Sequence, residues 1–175
     1  MISAMTEILT TDRLRLRLVT EDDAPFYLAL VNDPAFIEHI GDRQLRTNDA
    51  ARRGLVEGPI AMQEKYGHSL YMVERLEDGA PIGLSGLVKR DTLEHVDIGY
   101  AFLPEHRGCG YALEAGQAVM GLAARLGIRR LAAIVSPGNA ASIALLQRLG
   151  LRFERCASLA PGQSPVNVYL ADLDG

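Results

Sequence analysis

The sequence contains no tryptophan and only two cysteines, Cys109 and Cys156, which lie far apart and in no metal-ligand spacing. They supply no disulfide framework, and a reduced, cytoplasmic setting is expected. Histidine is also scarce: His39, His68, His95 and His106 are scattered, with no paired spacing on any helical stretch, so no metal is expected. No apolar run approaches the ~20 residues of a membrane span. The opening "MISAMTEILTTDRLRLRLV" lacks the charged-then-apolar layout of a secretion signal. Bases are outnumbered, 18 to 22, for a net charge of -4. That balance argues against a surface built to neutralise a nucleic-acid backbone.

What is present suits one core. The 175 residues are 48% apolar and 23% charged, and the chain, 1–175, is read as one domain. "RLRLRLV" (13–19) alternates leucine with arginine as a half-buried strand does. A helix follows, with Thr20 and Asp23 spaced as a capping box and Asn32-Asp33-Pro34 as its stop. Residues 47–66 read as a second helix, begun at Thr47 or Asn48 and kinked at Gly58-Pro59. "SLYMVERL" and "IGLSGLVK" form a hairpin around "EDGAP", and "HVDIGYAFL" is the next strand, with a bulge expected at Gly99. A glycine loop, the helix "YALEAGQAVMGLAARLG", the apolar strand "RRLAAIVS", the helix "PGNAASIALLQRLG" and two final strands complete the chain. This order describes an α+β domain with about four helices spread around a mixed sheet.

The stretch "LPEHRGCGYALEAG" (103–116) carries three glycines and an arginine between a strand and a helix. Glycines let backbone N–H groups face a ligand, and the helix behind them adds its unpaired first-turn N–H groups and positive dipole end. A phosphate is the natural guest; a plain tight turn is the alternative. A dinucleotide fingerprint needs glycine at the first, third and sixth positions. From Gly108, Gly110 fits but Leu113 stands at the sixth, and no acidic residue ends the next strand.

Arg107-Gly108-Cys109-Gly110-Tyr111-Ala112 resembles the Gln/Arg-x-x-Gly-x-Gly/Ala motif of the GNAT superfamily of acetyl-CoA-dependent N-acetyltransferases. "TDRLRLRLVTEDDA" and "NDPAFIEHIG" are similar to the opening of one branch, that of the ribosomal-protein-alanine and -serine N-acetyltransferases. "SPGNAASIALLQRLGLRFE" is similar to its C-terminal motif. The resemblance implies a mostly antiparallel sheet with one splayed strand pair. It also implies direct acetyl transfer from acetyl-CoA to a primary amine, a protein N-terminal amine by the branch's pattern, by a monomer or homodimer. A non-catalytic acyl-CoA-binding sensor or interaction module is the rival.

By the same resemblance, the backbone of Tyr100, Ala101, Phe102 and Leu103 would pair with the pantetheine arm. Arg107, Gly108, Cys109, Gly110, Tyr111 and Ala112 would hold the pyrophosphate, mostly by N–H groups. Cys109 stands where a Lys or Arg is common, which removes a charge near the phosphates. Asn139 would meet the pantetheine region or simply cap its helix. Many relatives carry a tyrosine as the acid seven positions later, where this chain has Leu146. In this branch the candidate acid is Ser142; otherwise Ser142 is a small polar residue in a first turn. Asp97 is the candidate base, or else an exposed strand carboxylate, with Glu94, His95 and Tyr169 as further candidates. Acceptor selection falls to residues 20–66 and 157–169. There Asp33, Glu38, His39, Asp42 and Asp49 either attract an amine or form a solvated face.

Overall fold

The computed structural model describes residues 6–173. Its leucine–arginine alternation becomes β2 (Leu14–Leu18), with Leu14 and Leu16 fully buried on one face. A strand not separately expected, β1 (Glu7–Thr10), folds back on it through a turn in which Thr11 Oγ1 accepts the Leu14 N–H at 3.1 Å. The hairpin β3 (Leu70–Arg75) and β4 (Pro81–Val88), then β5 (Asp97–Phe102) and β6 (Arg130–Val135), follow the sequence reading, as do β7 (Arg152–Ala157) and β8 (Val166–Asp172). One eight-stranded sheet results, in the order β1-β2-β3-β4-β5-β6-β8-β7. Every pairing is antiparallel except β5 with β6.

The helices are α1 (Ala24–Val31), α2 (Pro34–His39), α3 (Asn48–Leu55), α4 (Ala61–Tyr66), α5 (Tyr111–Arg125) and α6 (Ala140–Arg148). Pro34, expected only to stop α1, also starts α2, because Asp33 caps the new helix by accepting the Phe36 N–H at 3.2 Å. Thr47 caps α3 through the Ala50 N–H at 3.1 Å. Pro59 has no N–H to give the preceding turn and crowds its carbonyl. The chain therefore widens into a π segment, 56–60, and resumes as α4. No helix among the described residues is long and apolar enough to cross a membrane.

Two cores sit on opposite faces of the sheet. On one, Leu14, Leu16, Val73 and Phe102 pack with Val119 of α5 and Leu146 of α6. On the other, Met72 and Leu84 pack with Leu30 of α1 and Leu55 of α3. Each leucine buried in this way contributes about 1.5–3 kcal/mol of transfer free energy. The arginine face of β2 is not wholly solvated. Arg17, 3% exposed, gives Nη1 and Nη2 to Asp23 and Nε to Glu74, all at 2.9 Å. The expected bulge at Gly99 is absent. β4 and β5 stay in register from Gly83↔Phe102 to Val88↔Asp97, because a continuous partner on one side holds β5 straight.

Candidate functional site

β5 and β6 meet at a single point. Asp97 lies opposite Ala132, whose N–H donates to the Val96 carbonyl at 2.9 Å, and no further residue pair joins the two strands. Each strand is committed elsewhere, β5 to β4 and β6 to β8, over six residue pairs apiece. The two neighbouring pairings diverge under the sheet's twist. A gap opens from Asp97 towards Phe102 and Val135, and beyond those residues the chain enters the loops that start α5 and α6. Strand edges facing this gap have backbone groups without ladder partners, as a pantetheine-like chain with amide groups requires.

The glycine loop closes the open end. Gly108 (φ 76°) and Gly110 (φ 82°) take left-handed conformations that a side chain resists. Among the described residues, no acceptor meets the N–H groups of residues 108–113. Six unpaired N–H groups at the positive end of a 15-residue helix form a cradle that fits a pyrophosphate. The Arg107 side chain does not join them. Its Nε and Nη2 donate to the Phe102 carbonyl at 3.1 and 2.8 Å, and Nη2 meets Asp33 Oδ2 at 2.8 Å. Asp33 is therefore not part of a solvated face; its side chain is 8% exposed, held between the Arg107 guanidinium and the α2 cap. Cys109 is exposed beside the loop.

Unbroken register settles which way the β5 side chains point. Ile98, Tyr100 and Phe102 face α5 and α6, while Asp97, Gly99 and Ala101 face the α1–α3 layer. Tyr100, expected to contribute only its backbone, brings its hydroxyl into hydrogen-bond contact with the Ser142 hydroxyl. Burial pushes the Tyr100 phenol up, partly offset by that contact. Asn139 caps α6, its Oδ1 accepting the Ser142 N–H at 3.2 Å, which fixes the serine at the mouth of the gap. Leu146, where many relatives place a tyrosine acid, is 1% exposed and belongs to the core beneath α6.

Asp97 sits where β5 and β6 part and is 1% exposed, not an exposed strand carboxylate. Its Oδ2 accepts from Arg90 Nε at 3.0 Å, while Oδ1 has no partner. Burial raises its pKa to about 6, against the opposing pull of Arg90. The other candidate bases lie elsewhere. Glu94 and His95 line an open depression of about 480 Å³ with Lys89, Arg129, Arg130 and Asp172, at the closed end of the strand pair. Tyr169 is a core residue stacked edge-on to Phe153, with ring centres 5.8 Å apart.

A sheet parted at one parallel strand pair, with a glycine-fronted helix at the open end, is the architecture of the acetyltransferases this chain resembles. Residues 13–152 match the family described as acetyltransferase (GNAT) domain, and the chain belongs to that family. It is 30% identical over 152 residues to the uncharacterised N-acetyltransferase YoaA of Bacillus subtilis, covering 86% of this chain and 85% of that one. It resembles the crystal structure of an acetyltransferase from Agrobacterium tumefaciens (26% identity, TM-score 0.79, 98% and 96% of the two chains). RimL, a ribosomal L7/L12 alpha-N-protein acetyltransferase solved in complex with coenzyme A, shares the fold (24% identity, TM-score 0.81, 96% and 98% covered). The protein is an acetyltransferase enzyme of the GNAT family.

Proposed function

We propose that the chain transfers an acetyl group directly from acetyl-CoA to a primary amine in the cytoplasm, with a protein N-terminal amine as the acceptor class. The observation that carries this reading is the coincidence of the β5–β6 gap with the unpaired N–H groups of residues 108–113 at its open end. The gap suits the pantetheine arm along the edge of Tyr100 and Phe102, and the loop from Gly108 to Ala112 suits the pyrophosphate. Ala101 and Leu103 do not join that edge, since Ala101 pairs with Leu84, and Leu103 donates its N–H to the Ile82 carbonyl and accepts the His106 N–H at its own carbonyl. The acceptor class follows from the branch resemblance and from the RimL name, and is tested separately below.

In this reaction the amine nitrogen attacks the thioester carbonyl, a C–N bond forms and the C–S bond breaks. The amine gives up a proton and the departing thiolate takes one. Asp97 and Ser142 stand on opposite sides of the strand plane that the gap divides. Asp97, with a free oxygen and a pKa raised towards neutrality, takes the amine proton, directly or through water. Ser142 donates its proton to sulfur. A hydroxyl has one proton to give, so Ser142 can give its own only while it accepts from Tyr100. A Tyr100 phenol kept protonated by burial meets that condition, and solvent replaces the proton afterwards.

Calorimetric titration with acetyl-CoA, repeated on Gly110→Glu, tests the site. Tight binding by the natural chain and none by the variant, with circular dichroism unchanged, is the supporting result; no binding by the natural chain refutes the proposal. Coenzyme A release is then measured over N-terminal peptides, polyamines, amino acids and aminoglycosides. Turnover confined to the last three classes rejects the N-terminal acceptor.

A further inference from the structure

Arg13 comes from the β1–β2 turn, about a hundred residues before the glycine loop, yet its side chain ends against that loop. Nη1 donates to the Cys109 carbonyl at 3.0 Å, Nε meets Glu114 Oε1 at 2.7 Å, and the guanidinium carbon lies 4.5 Å above the Tyr111 ring. Glu114, in the first turn of α5, also accepts from the Arg13 N–H at 2.9 Å and from Thr11 Oγ1 at 2.5 Å. Three donors from one turn thus hold the carboxylate. No feature of the loop's own sequence points to this contact.

Two consequences follow from elementary geometry and charge. In the trans peptide joining Cys109 to Gly110, the carbonyl and the N–H point in opposite directions. An arginine that holds the Cys109 carbonyl therefore turns the Gly110 N–H away from itself, and glycine at 110 (φ 82°) has no Cβ to hold that peptide in place. The second consequence concerns Glu114. A bare carboxylate in the first turn would repel a pyrophosphate seated on the same helix end, and the Arg13 guanidinium cancels it.

We infer that Arg13 is a positioning residue for the donor: it presets the Gly110 N–H for the pyrophosphate and neutralises Glu114 beside it. This rests on the acetyl-CoA reading of the loop. Lysine retains the charge but cannot span Glu114 and the Cys109 carbonyl with a rigid fork.

The test compares Arg13→Gln and Arg13→Lys with the natural chain on three acetyl donors: acetyl-CoA, acetyl-dephospho-CoA, which keeps the pyrophosphate, and S-acetylpantetheine, which lacks it. Both variants are expected to raise KM about tenfold or more for the first two donors, with kcat little changed, as for loss of a charge-assisted contact. Neither should alter kcat/KM for S-acetylpantetheine. An equal loss on all three donors, or an Arg13→Lys variant indistinguishable from the natural chain, overturns the inference. A loss on acetyl-CoA that disappears with acetyl-dephospho-CoA overturns it too, since Arg13 would then serve the ribose phosphate. If the natural chain itself uses acetyl-CoA and S-acetylpantetheine equally well, the pyrophosphate reading of the loop fails, and the inference with it. Thermal unfolding of each variant separates loss of fold from loss of positioning.

Discussion

Asp97 is the residue at which stability and the proposed function pull apart. Its folded-state pKa of about 6 lies above the ~3.9 of an unfolded aspartate, so the native state holds the proton more tightly. The stabilisation from that proton is complete below about pH 4 and is lost as pH rises through about 6, leaving a buried carboxylate with one free oxygen. Asp97→Asn should therefore stabilise the fold at pH 7.5 by on the order of 2–3 kcal/mol, seen as a rise in Tm, and the gain should vanish near pH 4. The same substitution should lower kcat about 10²-fold or more and flatten its acid limb near pH 6, measured at saturating amine. On the opposite face, Ser142→Ala should lower kcat by a similar factor. Tyr100→Phe added to it should cost nothing further, because the phenol acts through the serine. Additive losses in that double-mutant cycle would assign Tyr100 a packing role instead.

Between elements, the strongest polar joint is buried. Arg17 of β2 ties Glu74 of β3 to Asp23 at the entry of α1, and so fixes the first helix against the sheet. Arg17→Ala leaves Asp23, 7% exposed, without its cation, and Glu74, 6% exposed, with Arg15 alone. The expected cost is about 3–5 kcal/mol, seen as a fall in Tm of about 10 °C at neutral pH. The leucine–arginine alternation announced the strand and its leucine face. It did not announce that one arginine would be buried, since that depends on Asp23 and on Glu74, which is 57 residues away. The cap at Thr47 and the break at Pro59 were legible, because a cap or a missing N–H acts within four residues; Asp33 was read only as part of a helix stop, and its cap on α2 was not. The bulge expected at Gly99 was not borne out: glycine permits a bulge, but the β4 register excludes one.

Across the whole molecule, Arg107 links the glycine loop to the α1–α2 layer through Asp33, a contact between residues 74 apart. Asp33→Ala removes both this ion pair and the α2 cap. Backbone amides of residues 34–40 should then exchange with solvent about tenfold faster, while those of β3 and β4 keep their protection. Equal loosening throughout would mean that the contact supports the entire fold rather than the α1–α2 layer. The same scale explains the gap. Nothing in "DIGYAF" or "RLAAIV" demands that the strands part, and each could pair along its full length. They part because β4 and β8 hold them at diverging angles.

The amino-acid sequence by itself determined the local chemistry of this acetyltransferase. It set two left-handed glycines before a helix, an asparagine cap bearing Ser142, alternating strands and the helix stops, all of which act over a few residues along the chain. Tertiary structure alone decided the rest: the parted strands, the burial of Asp97, the meeting of Tyr100 with Ser142 across 42 residues, and the reach of Arg13 to Glu114 across 101. Such contacts form only where folding brings distant segments within a few ångströms, and their geometry follows from the sheet order rather than from any neighbouring residue.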